Sequence, residues 1–228
     1  MPGIDAVSAL SLWEGGGQYS ALDRAVLLAA HIAGISHDAA ADLPLHQRDR
    51  LLISELHRLG AGTVAVVAHC PECRTLHEAD IALAPLLDSH DTPDAAVTLN
   101  GRSAAIRAPS SRQLAAILNG GAPSELGKLC CEDEAMLADP RAGAAIETAL
   151  ENAFPLLNIM IAMQCDDCGL PFARRFDPVP LLWARVAVLA QRALADVDVL
   201  ARTYGWSEAE IFALSPVRRQ HYCALALL

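Results

Sequence analysis

Two Cys-x-x-Cys pairs are the residues of this chain best suited to chemistry: Cys70-Pro71-Glu72-Cys73 and Cys165-Asp166-Asp167-Cys168. A pair at this spacing can grip a metal ion from a tight turn, but two sulfurs only half fill a tetrahedral zinc site. Each pair follows an apolar, strand-like run, Val66-Val67-Ala68 in the first case and the run ending at Met163 in the second. Each is followed by a short polar stretch leading to an acid beside an apolar residue, Ala79-Asp80-Ile81 and Phe176-Asp177-Pro178. The likeness of the halves predicts two zinc knuckles sharing one structural zinc ion, with Cys70, Cys73, Cys165 and Cys168 as its ligands. Residues 74–164 then become an insertion carried by that clasp. The alternatives are cysteines of a core, a site that has lost its metal, or a redox pair. A redox pair would open a helix after a strand in a βαβ setting. Prolines and glycines surround these motifs instead, and no βαβ repeat follows. His69 and His77 flank the first knuckle and could replace a cysteine. With four thiols at hand, both are expected at the surface or behind the ligands.

The whole chain bounds what such a site can serve. It has 228 residues, 53% of them hydrophobic and only 4% aromatic, so a core of Ala, Leu, Val and Ile can be buried without covalent staples. A net charge of −10 disfavours a basic, nucleic-acid-binding surface. Around the knuckles, Glu72, Glu78, Asp80, Asp166, Asp167 and Asp177 outnumber Arg74, Arg174 and Arg175. No apolar run is long enough to span a membrane. The opening Met1-Pro2-Gly3-Ile4-Asp5 lacks the pattern of a secretory signal. A reducing cytosol is therefore the expected location, where seven cysteines point to metal or buried thiols rather than disulfides.

The elements that must position the cysteines can be read in order. Residues 5–34 are helical in pattern, broken at Gly15-Gly16-Gly17, with Ser20 as an N-cap, Asp23 in the first turn and Trp13 as a core anchor. A helix is expected from Leu43-Pro44-Leu45 to Arg58, stopped by Gly60. Asn100-Gly101 marks a hairpin between residues 96–99 and 102–107. Ser110 or Ser111 caps a helix through Leu114, Ile117 and Leu118 that Gly120-Gly121 stops, and a second short helix holds Leu126, Leu129 and Cys130. Cys130 and Cys131 are read as core thiols, and Glu132-Asp133-Glu134 as a solvated face. Residues 142–153 form an alanine-rich helix, residues 156–163 a strand into the second knuckle, and Phe172 to Phe176 the return strand. A long helix over residues 180–203 carries Leu182, Val186, Leu189, Ala193, Val197, Leu200 and Tyr204 on one stripe, predicting contact along its whole length. Gly205 ends it, Ser207 and Glu210 form a capping box, and Ser215-Pro216 opens a last helix with Arg218 and Arg219 outward. The expected class is α+β, mainly helical, with small antiparallel β elements around a zinc-ribbon-like clasp. Its segments are residues 1–60, the knuckle halves 61–82 and 156–178, the insertion 83–155, and the tail 179–228.

With the tail in view, the chain resembles a family. Tyr204-Gly205-Trp206-Ser207-Glu208-Ala209-Glu210-Ile211, then Leu214-Ser215-Pro216-Val217-Arg218-Arg219 and Tyr222, are similar to the C-terminal signature of T4-type phage baseplate hub assembly proteins. Relatives of that family occur in contractile injection systems. Leu12-Trp13-Glu14 with Gly16, Asp23-Arg24-Ala25, the first knuckle, the Ile106-Arg107-Ala108-Pro109-Ser110 turn, and Phe176-Asp177 before Trp183 fall in matching order. Asp166 stands where the resemblance expects proline.

The resemblance implies a cytoplasmic helper or minor component of the baseplate hub, acting on hub, spike or tube proteins and carrying no catalytic residues. Trp206, Arg218, Arg219 and Tyr222 are its candidate partner contacts. A metalloenzyme is disfavoured, because His77-Glu78 has no second histidine at the spacing of a zinc protease, and neither Gly-x-Ser-x-Gly nor a P-loop occurs. A free-standing zinc-ribbon module, binding protein or nucleic acid, is the alternative.

Overall fold

The computed structural model describes residues 3–120 and 125–226. The expected helix stop at Gly121 and the side chain of Leu126 lie outside the described residues. Four helices come first: α1 (Ala6–Gly16), α2 (Ala21–Ala33), the short α3 (His37–Ala41) and α4 (Leu45–Arg58). The hairpin β1 (Thr63–His69) and β2 (Leu76–Ala82) carries the first cysteine pair in its turn and leads to α5 (Ala84–Leu87). The hairpin β3 (Ala96–Leu99) and β4 (Arg102–Ala105) follows, then α6 (Ser111–Leu118), α7 (Glu125–Cys130), α8 (Glu134–Leu137) and α9 (Ala142–Ala153). A third hairpin, β5 (Met160–Gln164) and β6 (Pro171–Arg175), carries the second cysteine pair. The chain continues through α10 (Pro178–Tyr204), α11 (Glu208–Ala213) and α12 (Pro216–Ala226). The class is α+β, and the strands pair only as these three antiparallel hairpins among the described residues.

Local chemistry explains most boundaries. Ser20 accepts from the Asp23 N–H and caps α2, Ser110 and Gln113 form a reciprocal capping box on α6, and Ser207 and Glu210 do the same on α11. Asp177 caps α10, whose first turn accepts proline because its N–H groups have no intrahelical partner. Asn100 and Gly101 both take positive φ, 52° and 76°, which is the two-residue turn that matches strand twist.

Two hydrophobic cores form among the described residues. The first joins α1, α2, α4 and the start of α10 through Leu12, Leu28, Leu52, Leu56, Leu182 and Val186. It also takes in Val64 and Val66 of β1, and Phe176 just after β6, so both knuckle hairpins are rooted in it. Close approach of α1 to α10 depends on Gly16: a Cβ there would lie 2.6 Å from Cη2 of Trp183. Arg24 lies over that indole, its guanidinium carbon 4.6 Å from the ring centre.

The second core lies between residues 95 and 154 and includes Val97, Cys130, Cys131, Met136, Ile146 and Phe154. The two bodies meet along α4 and α6. The Leu45 N–H donates to the Pro109 carbonyl at 2.9 Å, and Arg48 reaches Ser111 Oγ at 2.9 Å. Arg48 and Asp49 form a buried pair at this seam. Burial pushes the Asp49 carboxyl up, and Arg48 opposes that shift.

Several expectations give way. The strand expected from residue 156 begins only at Met160. Phe154 and Leu156 are each drawn into a different core, and a turn closed by the Leu157 N–H on the Phe154 carbonyl joins them. The stripe on α10 is not covered throughout: Tyr204 is 37% exposed, and Val188 and Leu194 are exposed beside it. Arg219 does not face outward. It is buried, with Nε 3.1 Å from Asp196 Oδ2 of α10 and its guanidinium stacked over Phe212, because α12 folds back onto α10. Glu132 and Glu134 do form an exposed face, on which Arg107 pairs with Glu132 and Arg102 with the half-buried Asp133. The short helices α3, α5 and α8 span too few residues for a periodic pattern.

Candidate metal centre

The two cysteine turns are built alike. In the first, the Cys70 N–H donates to the Thr75 carbonyl at 2.9 Å and the Arg74 N–H to the Cys70 carbonyl at 3.0 Å. In the second, the Cys165 N–H donates to Leu170 and the Gly169 N–H to Cys165, both at 2.9 Å. The residue after each second cysteine lies in the left-handed region, Arg74 at φ 64° and Gly169 at φ 74°. That conformation reverses the chain tightly, and glycine adopts it without the cost a side chain brings. Asp166 in place of proline leaves this bonding pattern unchanged.

The β1–β2 and β5–β6 hairpins bring the four sulfurs within 4.8 Å of one another. Cys70 Sγ is 3.6 Å from Cys168 Sγ, and Cys73 Sγ is 3.4 Å from Cys165 Sγ. Zinc–thiolate bonds of about 2.3 Å in a tetrahedron separate the sulfurs by about 3.8 Å. The donor set therefore fits a four-coordinate ion, and these four cysteines can hold a metal. Cys70 and Cys165 are buried while Cys73 and Cys168 are exposed, so the centre lies at the protein surface.

The electrostatics point the same way. The Thr75 hydroxyl, then the Thr75 backbone and Cys165, lower the Cys73 thiol to about 6. At Cys168 the Leu170 backbone acts to lower the thiol, but Cys165, burial and the other cysteines push it up to about 12. Four thiols this close cannot all ionise without a cation among them.

Surrounding groups complete the centre. His77 is buried, its Nε2 3.2 Å from Cys165 Sγ and its ring edge-on to Phe172. A proton on Nε2 would donate to that sulfur, so His77 stands beside the four-sulfur cluster and outside it. His69 is exposed and lies 3.0 Å from the Arg74 carbonyl through Nδ1. The Thr75 hydroxyl donates to the Asp167 carboxylate and so ties one knuckle to the other. Thr75 was not singled out from the sequence, because nothing in its local pattern marks a partner 92 positions away. Glu72, Asp166 and Asp167 are exposed around the centre, giving it an acidic face.

The other singled-out residues lie elsewhere. Cys130 and Cys131 are buried in the second core, where burial pushes the Cys130 thiol up to about 11. Trp206 and Tyr222 pack edge to face at 5.0 Å, with Tyr204 against both. Arg218 is exposed next to them in sequence, whereas Arg219 is turned inward.

No protein-family model, curated protein or solved structure matches this chain. Fold and site together define an α+β protein with a surface four-cysteine cluster able to hold a metal ion. No helix among the described residues is long and apolar enough to cross a membrane.

Proposed function

We propose that this chain is a non-enzymatic binding protein locked by one structural zinc ion on Cys70, Cys73, Cys165 and Cys168, in a zinc-ribbon-like arrangement of its two knuckles. The observation that carries this reading is the convergence of two matched Cys-x-x-Cys turns into one four-sulfur cluster. A site closed by four thiolates keeps no position for water or substrate, unlike a catalytic zinc. Metal binding then contributes to folding, by fixing the two ends of the insertion together.

The particular role we propose is an assembly factor or minor component of the baseplate hub of a contractile phage tail or injection system. The ordered motifs from Leu12-Trp13-Glu14 to Tyr222 support it. Its partners would be hub, spike or tube proteins, met in the cytoplasm through protein surfaces. The acidic face around the knuckles favours protein over nucleic acid, since it repels phosphate. The test is a tagged full chain expressed from its own gene cluster, with captured proteins identified by mass spectrometry from lysate and from finished particles. Hub, spike or tube subunits captured from lysate alone indicate an assembly factor, and the same subunits in particles indicate a component. No tail protein in either sample would contradict the reading.

A further inference from the structure

A cleft of about 340 Å³ opens at the seam of the two bodies, lined from the starts of α2 and α10, from α4 and α6, and from the end of β6. It shares no residue with the cysteine cluster. Most of its wall is apolar, with Leu22, Leu45, Leu114, Leu157 and Val179 among the lining residues. Leu118, the last residue of α6, stands at its edge and is 69% exposed. Among the described residues only Val217 is a more exposed large apolar side chain. A leucine this open beside an apolar cleft offers surface that a bound body would take out of water.

The charged groups of this cleft do not cancel. Arg48 lines it and is only 7% exposed. Its Nε and Nη2 donate to Asp49 Oδ1, and its Nη1 donates to Ser111 Oγ. A guanidinium carries five N–H groups, so two of those on Arg48 have no acceptor among the described residues. Buried donors are paired in the great majority of cases, and these call for an acceptor. Both acids of the lining are committed, Asp49 to Arg48 and Asp177 to the Val179 N–H that it caps. Arg174 and Arg175 line the cleft from the end of β6 and form no ion pair among the described residues. Burial pushes the Asp49 carboxyl up, and Arg175 stands close enough to join Arg48 in opposing that shift. Arg48, Arg174 and Arg175 against Asp49 and Asp177 leave the lining cationic by one charge, on a chain of net charge −10.

We propose that this cleft binds a monocarboxylate with a short apolar body, either a small aliphatic acid or the C-terminal carboxylate of a partner that ends in an apolar residue. An ionised carboxylate only accepts hydrogen bonds, and the arginine fork suits its two oxygens. Arg48 supplies the buried donors, and the flexible Arg174 and Arg175 supply charge from the rim. One negative charge balances the lining, whereas a phosphate dianion would exceed it. The apolar body lies against Leu114, Leu118 and Leu157. The volume is at the small end of ligand pockets, which suits a short chain or a single terminal side chain. This site rests on neither the zinc clasp nor the hub reading.

The test is NMR titration of the full chain with three probes: octanoate, N-acetyl-glycyl-leucine and the uncharged N-acetyl-glycyl-leucinamide. Saturable methyl shifts at Leu114, Leu118 and Leu157 are expected with a carboxylate probe and not with the amide. Octanoate alone would name a free acid, the peptide acid alone a partner's C-terminus, and both the shared chemistry. Arg174→Gln combined with Arg175→Gln is expected to weaken binding about ten-fold or more, on the scale of a lost charge-assisted hydrogen bond. Both side chains are exposed, so their replacement spares the core. Leu118→Ser is expected to weaken binding about three-fold by removing apolar surface from the edge of the cleft. No saturable shift with either carboxylate, equal shifts from the amide, or unchanged affinity in either folded variant would overturn the site.

Discussion

Cys70 Sγ lies 3.6 Å from Cys168 Sγ, although 98 positions of sequence separate the two residues. The body between them has its own hydrophobic core, while both hairpins root in the first, so this contact brings together the two ends of that body. Replacing one ligand should therefore release the metal and loosen both hairpins. Cys165→Ser is expected to abolish stoichiometric zinc and cost about 3–5 kcal/mol, the scale of a lost cross-link. For a chain of this size that corresponds to a melting temperature lower by about 10 °C. Cys130→Ser, in the second core, should lower melting while zinc content stays intact. Calorimetry with metal analysis separates the two, and unchanged zinc in Cys165→Ser would contradict the shared site.

The matched turns carry different residues at their left-handed position, arginine at 74 and glycine at 169. A side chain there costs about 1–2 kcal/mol, partly offset by the greater freedom of unfolded glycine. Arg74→Gly should thus raise stability by about 0.5–1 kcal/mol, and Gly169→Ala should lower it by about 1–2 kcal/mol. Denaturant unfolding of the zinc-loaded variants reads both. Effects of equal sign would show that the turns are not equivalent.

Gly16 is set against Trp183 so closely that an added Cβ would meet Cη2 at 2.6 Å. Gly16→Ala should destabilise by about 1–3 kcal/mol through overpacking. Adding Trp183→Leu should recover part of that loss, because the two positions touch. A double-mutant cycle with no coupling would place the cost in the helix backbone instead.

Glu55 accepts from the Ile4 N–H and from Arg58, each at 2.6 Å, and so fastens the first residues to α4. Burial alone would raise its pKa, but Arg58 and the Ile4 N–H outweigh that and hold it below the usual carboxylate value. A depressed folded pKa stabilises above the unfolded value of about 4.3, and that contribution is lost as pH falls through the folded one. The stability difference between wild type and Glu55→Gln should shrink from pH about 6 towards about 3. Subtraction cancels the acid sensitivity of the thiolates. A constant difference across that range would refute the linkage.

The signals legible in the sequence were short-range ones. Ser20, Ser207 and Asn100-Gly101 sit where local hydrogen bonding or positive φ is needed, and those ends and turns form as read. The cysteine pairs were legible because two like motifs each supply half of a tetrahedron. Features set by distant partners were hidden. Arg219 turns inward because Asp196 waits on another helix, and Thr75 bridges to Asp167 across 92 positions. Arg48 carried no local mark, since Ser111 meets it from another helix. The segment before β5 misled because its apolar residues serve two different cores rather than one face of a strand.

The most direct measurement is zinc-edge X-ray absorption, with metal quantification, on the full chain purified without chelators. The account predicts one zinc per chain in a shell of four sulfurs at about 2.3 Å. A chain free of stoichiometric metal would contradict the clasp. A shell containing nitrogen or oxygen would contradict the four-cysteine ligand set, drawing His77 or water into it and reopening the centre to chemistry.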